Sequence, residues 1–162
     1  MNLIRDEADI RDDRKFHLVD YRYGHTYAVV RGFPELDDDA PAGSPDRVLD
    51  LYFAGVERIS SNIYVGPVHV RRAGASDREA PAARIGPINR DDVVFFLREH
   101  STEDYVIATR LYWAEFDLTF GSLSPLASDD AQYIENHRPV EGLVRYSESV
   151  WPSQQTPCRC HS

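Results

Sequence analysis

Three side chains near the start of the chain have the chemistry of a metal site or an acid/base site. His17, Asp20 and His25 fall close together in the sequence, and imidazole and carboxylate groups both bind metals and transfer protons. On a regular strand His17 and Asp20 point to opposite faces, because an odd number of residues separates them. Their convergence requires a bulge. The favoured interpretation therefore gives each residue a turn or hydrogen-bonding role.

A second candidate metal site lies at the C-terminus. Cys158, Cys160 and His161 offer thiolate and imidazole ligands for Zn or Cu. Their spacing is not the paired C-x2-C pattern, and a closed tetrahedral site would need a fourth ligand from the body of the protein. The sequence thus favours no cofactor, with Zn or Cu at this tail, or at the two histidines named above, as the alternative.

A pair of carboxylates beside an aromatic residue lies further along the chain. Trp113, Glu115 and Asp117 share one face of a predicted strand. Carboxylates two residues apart on a strand are separated by about 7 Å, near the separation found in inverting glycosidases. Solvated strand faces also carry Glu and Asp, and nothing else in the chain suggests a sugar cleft. We interpret these three residues as part of a partner-binding surface.

The run Asp37, Asp38 and Asp39 completes that predicted surface. Adjacent carboxylates do not reproduce the alternating ligand positions of a calcium loop, so an acidic, solvated loop is favoured. No nucleophile elbow, zinc-protease helix, P-loop or dinucleotide fingerprint is found in the sequence. The prediction is therefore a binding protein with no catalytic residues, and an enzyme is unsupported.

Composition and charge narrow the choice of partner. The chain has 162 residues, 42% of them hydrophobic, which is enough for one domain with a core. Its net charge of −9, from 27 acidic and 18 basic residues, disfavours nucleic acid and anionic membrane surfaces and favours a basic protein. No segment has the length and apolarity of a membrane span, and the N-terminus is unlike a signal peptide. A cytoplasmic location is expected.

Extended patterns dominate the elements that must position these residues. A turn at Gly24 and His25 predicts a hairpin of two strands, 16–22 and 26–32. Further strands are predicted at 48–53, within 56–72, and at 92–97, 105–120 and 143–146. Proline, glycine and charge predict loops at 34–46 and 73–84. A short helix is predicted after Gly121, with Ser128 as its N-cap and Pro139 beyond its end.

The strand at 105–120 carries the strongest alternation in the chain. Its even-numbered residues from Tyr112 to Phe120 are apolar and are expected to face a core, whereas the odd-numbered residues from Trp113 to Thr119 are expected to face solvent or a partner. In the strand at 48–53, Asp50 lies on the face that is expected to be wet.

These patterns predict a mainly β fold, either an antiparallel β-sandwich or a strongly curved sheet with one or two short helices. One domain is expected to span residues 1–150. Within it, residues 1–15 form a charged N-terminal arm, either a short helix or frayed. Residues 151–162 are expected to be a polar, flexible tail.

One segment supports a family resemblance. Residues 47–59 read RVLDLYFAGVERI, an apolar strand followed by Phe-x-Gly-Val and a second strand, downstream of Phe16 and His17. This pattern resembles the small acidic immunity proteins of bacterial polymorphic toxin systems and related uncharacterised families. Together with the upstream hairpin, it covers about a quarter of the chain. The resemblance implies a cytosolic antidote that binds a toxin domain. It identifies no inhibitory residue in this sequence.

The sequence thus predicts an acidic, non-catalytic protein-binding module. The alternative is a small-molecule-binding or metal-binding β-rich protein, with or without enzymatic activity, whose curved sheet encloses a pocket. Some of the nine tyrosines would line that pocket together with His17, His25 or His69.

Overall fold

A single open sheet forms the framework of the protein. The computed structural model describes residues 1–35 and 38–148. Ten strands pair in the order β1-β10-β9-β4-β3-β2-β6-β7-β8-β5, and every neighbouring pair is antiparallel except β1 with β10. The strands are β1 (Asn2–Arg5), β2 (Asp9–Arg22), β3 (Tyr27–Phe33), β4 (Asp46–Ala54), β5 (Arg58–Ser60), β6 (Tyr64–Arg72), β7 (Val93–Phe96), β8 (Tyr105–Ala108), β9 (Arg110–Leu118) and β10 (Leu143–Glu148).

Helical structure is short in the described part of the chain. It consists of α1 (Glu79–Ile85), α2 (Ala131–Asn136) and two 3-10 turns, Tyr23–His25 and Pro125–Ala127. The mainly β class with two short helices is therefore confirmed. No helix among the described residues has both the length and the apolarity needed to cross a membrane.

The sheet curves back on itself around its main core. Phe53 on β4 contacts Phe95 on β7 with ring centroids 5.7 Å apart, although three strands separate β4 from β7 in the sheet. A flat sheet would hold these strands about 19 Å apart, because neighbouring strands are spaced by about 4.8 Å. The inner face of the curved sheet buries residues from seven strands, including Phe16, Leu51 and Leu111, in one cluster. Of the two predicted architectures, the curved sheet is the one observed.

The outer face carries two smaller cores. One cluster on β4, β9 and β10 includes Val48 and Phe116 and lies against Leu126 in the second 3-10 turn. The other, on β7 and β8, includes Phe96 and packs against Ile85 at the end of α1. Between these clusters the outer face is less covered, and the candidate site described below lies there.

The N-terminal residues extend the sheet and form neither a helix nor a frayed arm. β1 pairs in parallel with β10, and β2 already begins at Asp9. Ala8 and Ile10 are buried in the main core, which explains why residues 1–15 are held in extended structure. The predicted hairpin is confirmed, since β2 and β3 pair on either side of the turn at Tyr23–His25.

Two segments after β6 differ from the sequence-based predictions. The predicted loop at 73–84 contains most of α1, whose Pro81 lies in the first turns of the helix and is buried. The predicted N-cap Ser128 is replaced by Asp130, whose carboxylate accepts hydrogen bonds from the backbone N–H groups of Gln132 and Tyr133. The hydroxyl of Ser128 instead accepts a hydrogen bond from the backbone N–H of Asp130, in the turn before the helix.

In the predicted strand 105–120 the even-numbered residues Ala114, Phe116 and Leu118 face a core as predicted, but the odd-numbered face is not simply a wet one. A break at Thr109 separates β8 from β9, and in β9 both faces meet a core. Trp113 belongs to the main core and is only 7% exposed, whereas Phe120 lies beyond the strand and is 87% exposed. The expected wet face of β4 is also wrong, since Asp50 is fully buried.

Candidate partner-binding surface

A bulge in β2 brings His17 and Asp20 to the outer face of the sheet. Opposite β3, the register shifts between Leu18 and Asp20. His17 pairs with Arg31 and Asp20 with Val29, two residues of the same face of β3. On a regular strand these two residues would point to opposite faces, because their positions differ by an odd number. The bulge that places them on one face is present. The extra residue, Val19, projects to the surface with 42% exposure.

Exposed aromatic and aliphatic side chains surround this bulge. Phe120 stacks against Phe33 with centroids 6.1 Å apart, and the ring of His17 lies between Phe33, at 5.7 Å, and Tyr64, at 4.9 Å. Ile63 is held beside β2 because its carbonyl accepts a 2.8 Å hydrogen bond from the N–H of Leu18. We define the Phe120 surface as Val19, Phe33, Ile63, Tyr64, Phe120 and Leu123.

Two hollows lie on either side of the Phe33–Phe120 pair. The first, the His17 hollow, has a volume of about 430 Å³ and is lined mainly by apolar groups, including Leu18, Pro34 and Ile63. The second, the Arg31 hollow, has a volume of about 360 Å³ and a more polar lining. Both are shallow enough to be open to solvent. Val19, Phe33 and Phe120 line both hollows, so the two form one continuous surface.

A buried ion pair supports the Arg31 hollow. The guanidinium of Arg31 donates to both carboxylate oxygens of Asp50, at 2.6 and 2.8 Å. It also donates to the carbonyl of Ser122 at 2.7 Å. The loop that carries Phe120 and Leu123 is therefore tied to the sheet through a charge-assisted hydrogen bond.

One carboxylate lies at each hollow. Asp46, half-buried, lines the His17 hollow together with Lys15, and Asp20 lines the Arg31 hollow together with Arg22. Asp20 accepts a 2.9 Å hydrogen bond from the hydroxyl of Tyr27. Among the described residues, neither carboxylate lies within 4.0 Å of a basic nitrogen.

A row of tyrosines crosses the same outer face. Tyr27, Tyr52, Tyr112 and Tyr146 come from four neighbouring strands, with successive ring centroids 5.3, 6.0 and 5.9 Å apart. Burial raises the pKa of Tyr52 above its ordinary value, and the neighbouring Tyr112 and Asp129 raise it further. Burial and the hydrogen bond to Asp20 likewise raise the pKa of Tyr27. Tyr27 and Tyr52 therefore stay protonated at neutral pH, and their role in the row is packing.

Of the predicted partner-binding residues, one is buried, two form ion pairs and two are exposed in a loop. Trp113 is buried, so the prediction that it faces a partner is wrong. Glu115 pairs with Arg14, and Asp117 pairs with Arg47 at 3.3 Å. Asp38 and Asp39 are exposed in the loop after β3, and Asp37 lies outside the described residues.

The predicted metal ligands form no site in the described part of the chain. His17 packs between aromatic rings, and the side chain of His25 is outside the described set, as are Cys158, Cys160 and His161. No group of three His, Cys, Asp or Glu side chains with metal-binding geometry occurs among the described residues. His69 lies on another part of the surface, with Nε2 2.6 Å from a carboxylate oxygen of Asp9.

Sequence reasoning missed the residues at the centre of the surface. Phe120 continued an apolar alternation, and only the following Gly121 and Ser122 indicated that the strand had ended. Ile63 and Tyr64 lie within the extended pattern of residues 56–72, which gives no sign that they are exposed. Comparisons of the chain with family models, curated proteins and solved structures found no match. The resemblance to immunity proteins therefore stays a prediction.

Proposed function

We propose that this protein is a non-catalytic protein-binding module that contacts a basic partner through the Phe120 surface. The observation that carries this proposal is the exposure of Phe120, 87%, on a support that is itself well fixed. Phe33, beneath it, belongs to β3 and packs against the outer core. Contiguous apolar groups on a rigid support are typical of protein interaction sites.

Several exposed residues of this surface are large and apolar. Ile63 is 71% exposed, Leu123 60% and Tyr64 51%. Isolated apolar groups on a surface need no explanation, but Ile63 and Leu123 are connected through the two hollows, and Tyr64 contacts the ring of His17. Burying such a patch against a partner removes apolar area from water, which is the main favourable contribution to association.

The overall charge selects the kind of partner. A net charge of −9 attracts basic proteins over distances of about 8 Å at physiological salt and raises their association rate. Glu35 and Asp38 lie in the loop that follows Phe33, so part of this charge is adjacent to the surface. A basic toxin domain neutralised by this chain is one partner of this kind, in keeping with the resemblance noted above.

A pull-down from native lysate with matched variants tests the proposal. Phe120→Ser is expected to abolish capture of a basic protein at low salt, with the fold unchanged because the side chain is exposed. Tyr23→Ser is the matched control, since Tyr23 is an aromatic residue with 86% exposure that lines neither hollow. Equal capture by both variants and by the wild type would show that the Phe120 surface is not the binding site.

A second candidate function rests on the His17 hollow. Its volume of about 430 Å³ and largely apolar lining suit a small ligand. A ligand that co-purifies with the chain, detected by mass spectrometry of denatured protein and lost in a Leu18→Asp variant, would favour this function. Release of nothing but buffer components would leave the protein-binding proposal as the better explanation.

A further inference from the structure

We infer that the partner segment bound at the Phe120 surface combines an apolar anchor with an adjacent cationic side chain. The anchor fills the His17 hollow, and the cation pairs with Asp46. This inference rests on the proposed function and specifies the chemistry of its partner. The arrangement of charge around the hollow carries it.

The His17 hollow is built to receive an apolar side chain. Leu18, Val19, Phe33, Pro34, Ile63 and Phe120 form most of its lining. The imidazole of His17 contacts two aromatic rings edge-on, which holds it against the wall. Its volume of about 430 Å³ has room for a leucine, phenylalanine or tryptophan side chain.

Asp46 provides a fixed negative charge at the edge of this hollow. It begins β4 and pairs in register with Leu118, which places it on the outer face beside the base of the Phe120 loop. Its short side chain is half-buried and lacks an ion-pair partner among the described residues. A carboxylate in a partly apolar setting gains more from a bound cation than a fully solvated one does.

The basic residues at the hollows do not reverse this preference. Lys15 and Arg22 are exposed and have long, flexible side chains that can keep their charges in water. Asp20 repeats the arrangement of Asp46 at the second hollow, where the Tyr27 hydroxyl donates to it. Each hollow therefore combines apolar lining residues with one carboxylate that has no ion-pair partner in the described part of the chain.

Three fragments of matched shape and different charge test the inference. The probes are phenethylammonium, 2-phenylethanol and 3-phenylpropionate, titrated into wild-type protein while amide chemical shifts are followed by NMR. We expect shifts at residues around the His17 hollow and binding in the order cation, neutral, anion. The cation should bind roughly two- to fivefold more tightly than the alcohol, the range of a solvent-exposed ion pair.

Two variants assign the effect to Asp46. Asp46→Asn should bring the cation to the affinity of the alcohol while leaving the alcohol unchanged. Asp91→Asn is the control, because Asp91 is an exposed carboxylate outside both hollows. Equal binding of all three probes, or a preference for the anion, would overturn the cationic part of the inference.

Failure of this inference can be distinguished from failure of the proposed function. Absence of shifts around the hollow with every probe would overturn the anchor site. The pull-down with Phe120→Ser would still decide whether the surface binds a protein, because that readout does not depend on the hollow being filled. Capture lost in Phe120→Ser but retained in Asp46→Asn at all salt concentrations would likewise overturn the cationic contact alone.

Discussion

Arg31 and Asp50 face each other on β3 and β4 and form a two-point ion pair that is almost completely buried, with side-chain exposures of 2% and 0%. The pair lies on the outer face of the sheet, beneath the loop that carries Phe120. Because Arg31 also donates to the carbonyl of Ser122, the same guanidinium connects two strands and this loop. The ion pair therefore positions the Phe120 surface as well as stabilising the sheet.

Removing one member of this pair should destabilise the fold strongly. Asp50→Ala leaves the Arg31 guanidinium buried without its counter-charge, and breaking a buried pair in this way costs about 3–5 kcal/mol. We expect that loss in the free energy of unfolding measured by urea denaturation. The double variant Arg31→Met with Asp50→Leu should recover much of the stability, because no buried charge is left. A single variant as stable as the wild type would contradict the role assigned to the pair.

Trp113 should affect stability and not binding. Its indole belongs to the main core, so Trp113→Ala is expected to lower the free energy of unfolding by about 3–5 kcal/mol. Phe120→Ala should change it by less than about 0.5 kcal/mol, as is usual for an exposed side chain. Urea denaturation of both variants checks the contrast. Equal losses for the two variants would contradict the placement of Trp113 in the core and of Phe120 on the surface.

The sequence predicted much of the fold because strand signals are local. Val93 to Phe96 is apolar on both faces and is a buried strand, and Gly24 marks the hairpin turn. The sequence did not predict which face of β9 meets which core. The curved sheet buries both faces there, and alternation distinguishes a buried face from an exposed one only where one face is solvated. The sequence also did not predict the burial of Asp50. Its ion-pair partner Arg31 is distant in sequence, so the carboxylate alone indicates a solvated position.

The site was less predictable than the fold. A carboxylate run such as Asp37 to Asp39 is visible in a sequence, whereas a surface assembled from three strands and two loops is not. The exposure of Phe120 depends on where β9 ends, and strand ends are weakly encoded. The bulge at Val19, which reversed the parity of Asp20, also left no clear signal, because no glycine marks it.

The raised pKa of Tyr52 should make the stability of the protein sensitive to alkaline pH. The pKa of Tyr52 is raised above 10.0 in the folded protein, mainly by burial. The folded state therefore holds the phenolic proton more tightly than the unfolded chain does. This contribution to stability is fully present below pH 10.0, the ordinary pKa, and is lost as the pH rises through the folded-state pKa.

Thermal unfolding measured across this alkaline range checks that prediction. The melting temperature of the wild type should fall above pH 10.0, and that of Tyr52→Phe should fall less. Tyr23→Phe is the control, because Tyr23 is 86% exposed. Identical pH profiles for the wild type and Tyr52→Phe would show that this phenol does not contribute.

Gly32 should tolerate no side chain, since the main core approaches the backbone there. A Cβ at Gly32 would lie 2.4 Å from Cζ of Phe16 on the neighbouring strand. Phe16 is fully buried, so its ring has no free space into which it can move. We expect Gly32→Ala to lower the free energy of unfolding by about 1–3 kcal/mol, the usual cost of overpacking.

The same contact supplies a compensating variant. Phe16→Leu removes the ring atoms that the new methyl group would meet. The double variant Gly32→Ala with Phe16→Leu should therefore lose less free energy of unfolding than the two single variants lose in sum. The coupling, measured by urea denaturation in a double-mutant cycle, should be about 0.5–3 kcal/mol in favour of the double variant. Gly24→Ala is the control, since a Cβ there meets nothing within 4 Å. Strict additivity would mean that the close approach of Phe16 to β3 does not limit residue 32, and that β2 can move away from β3 at little cost.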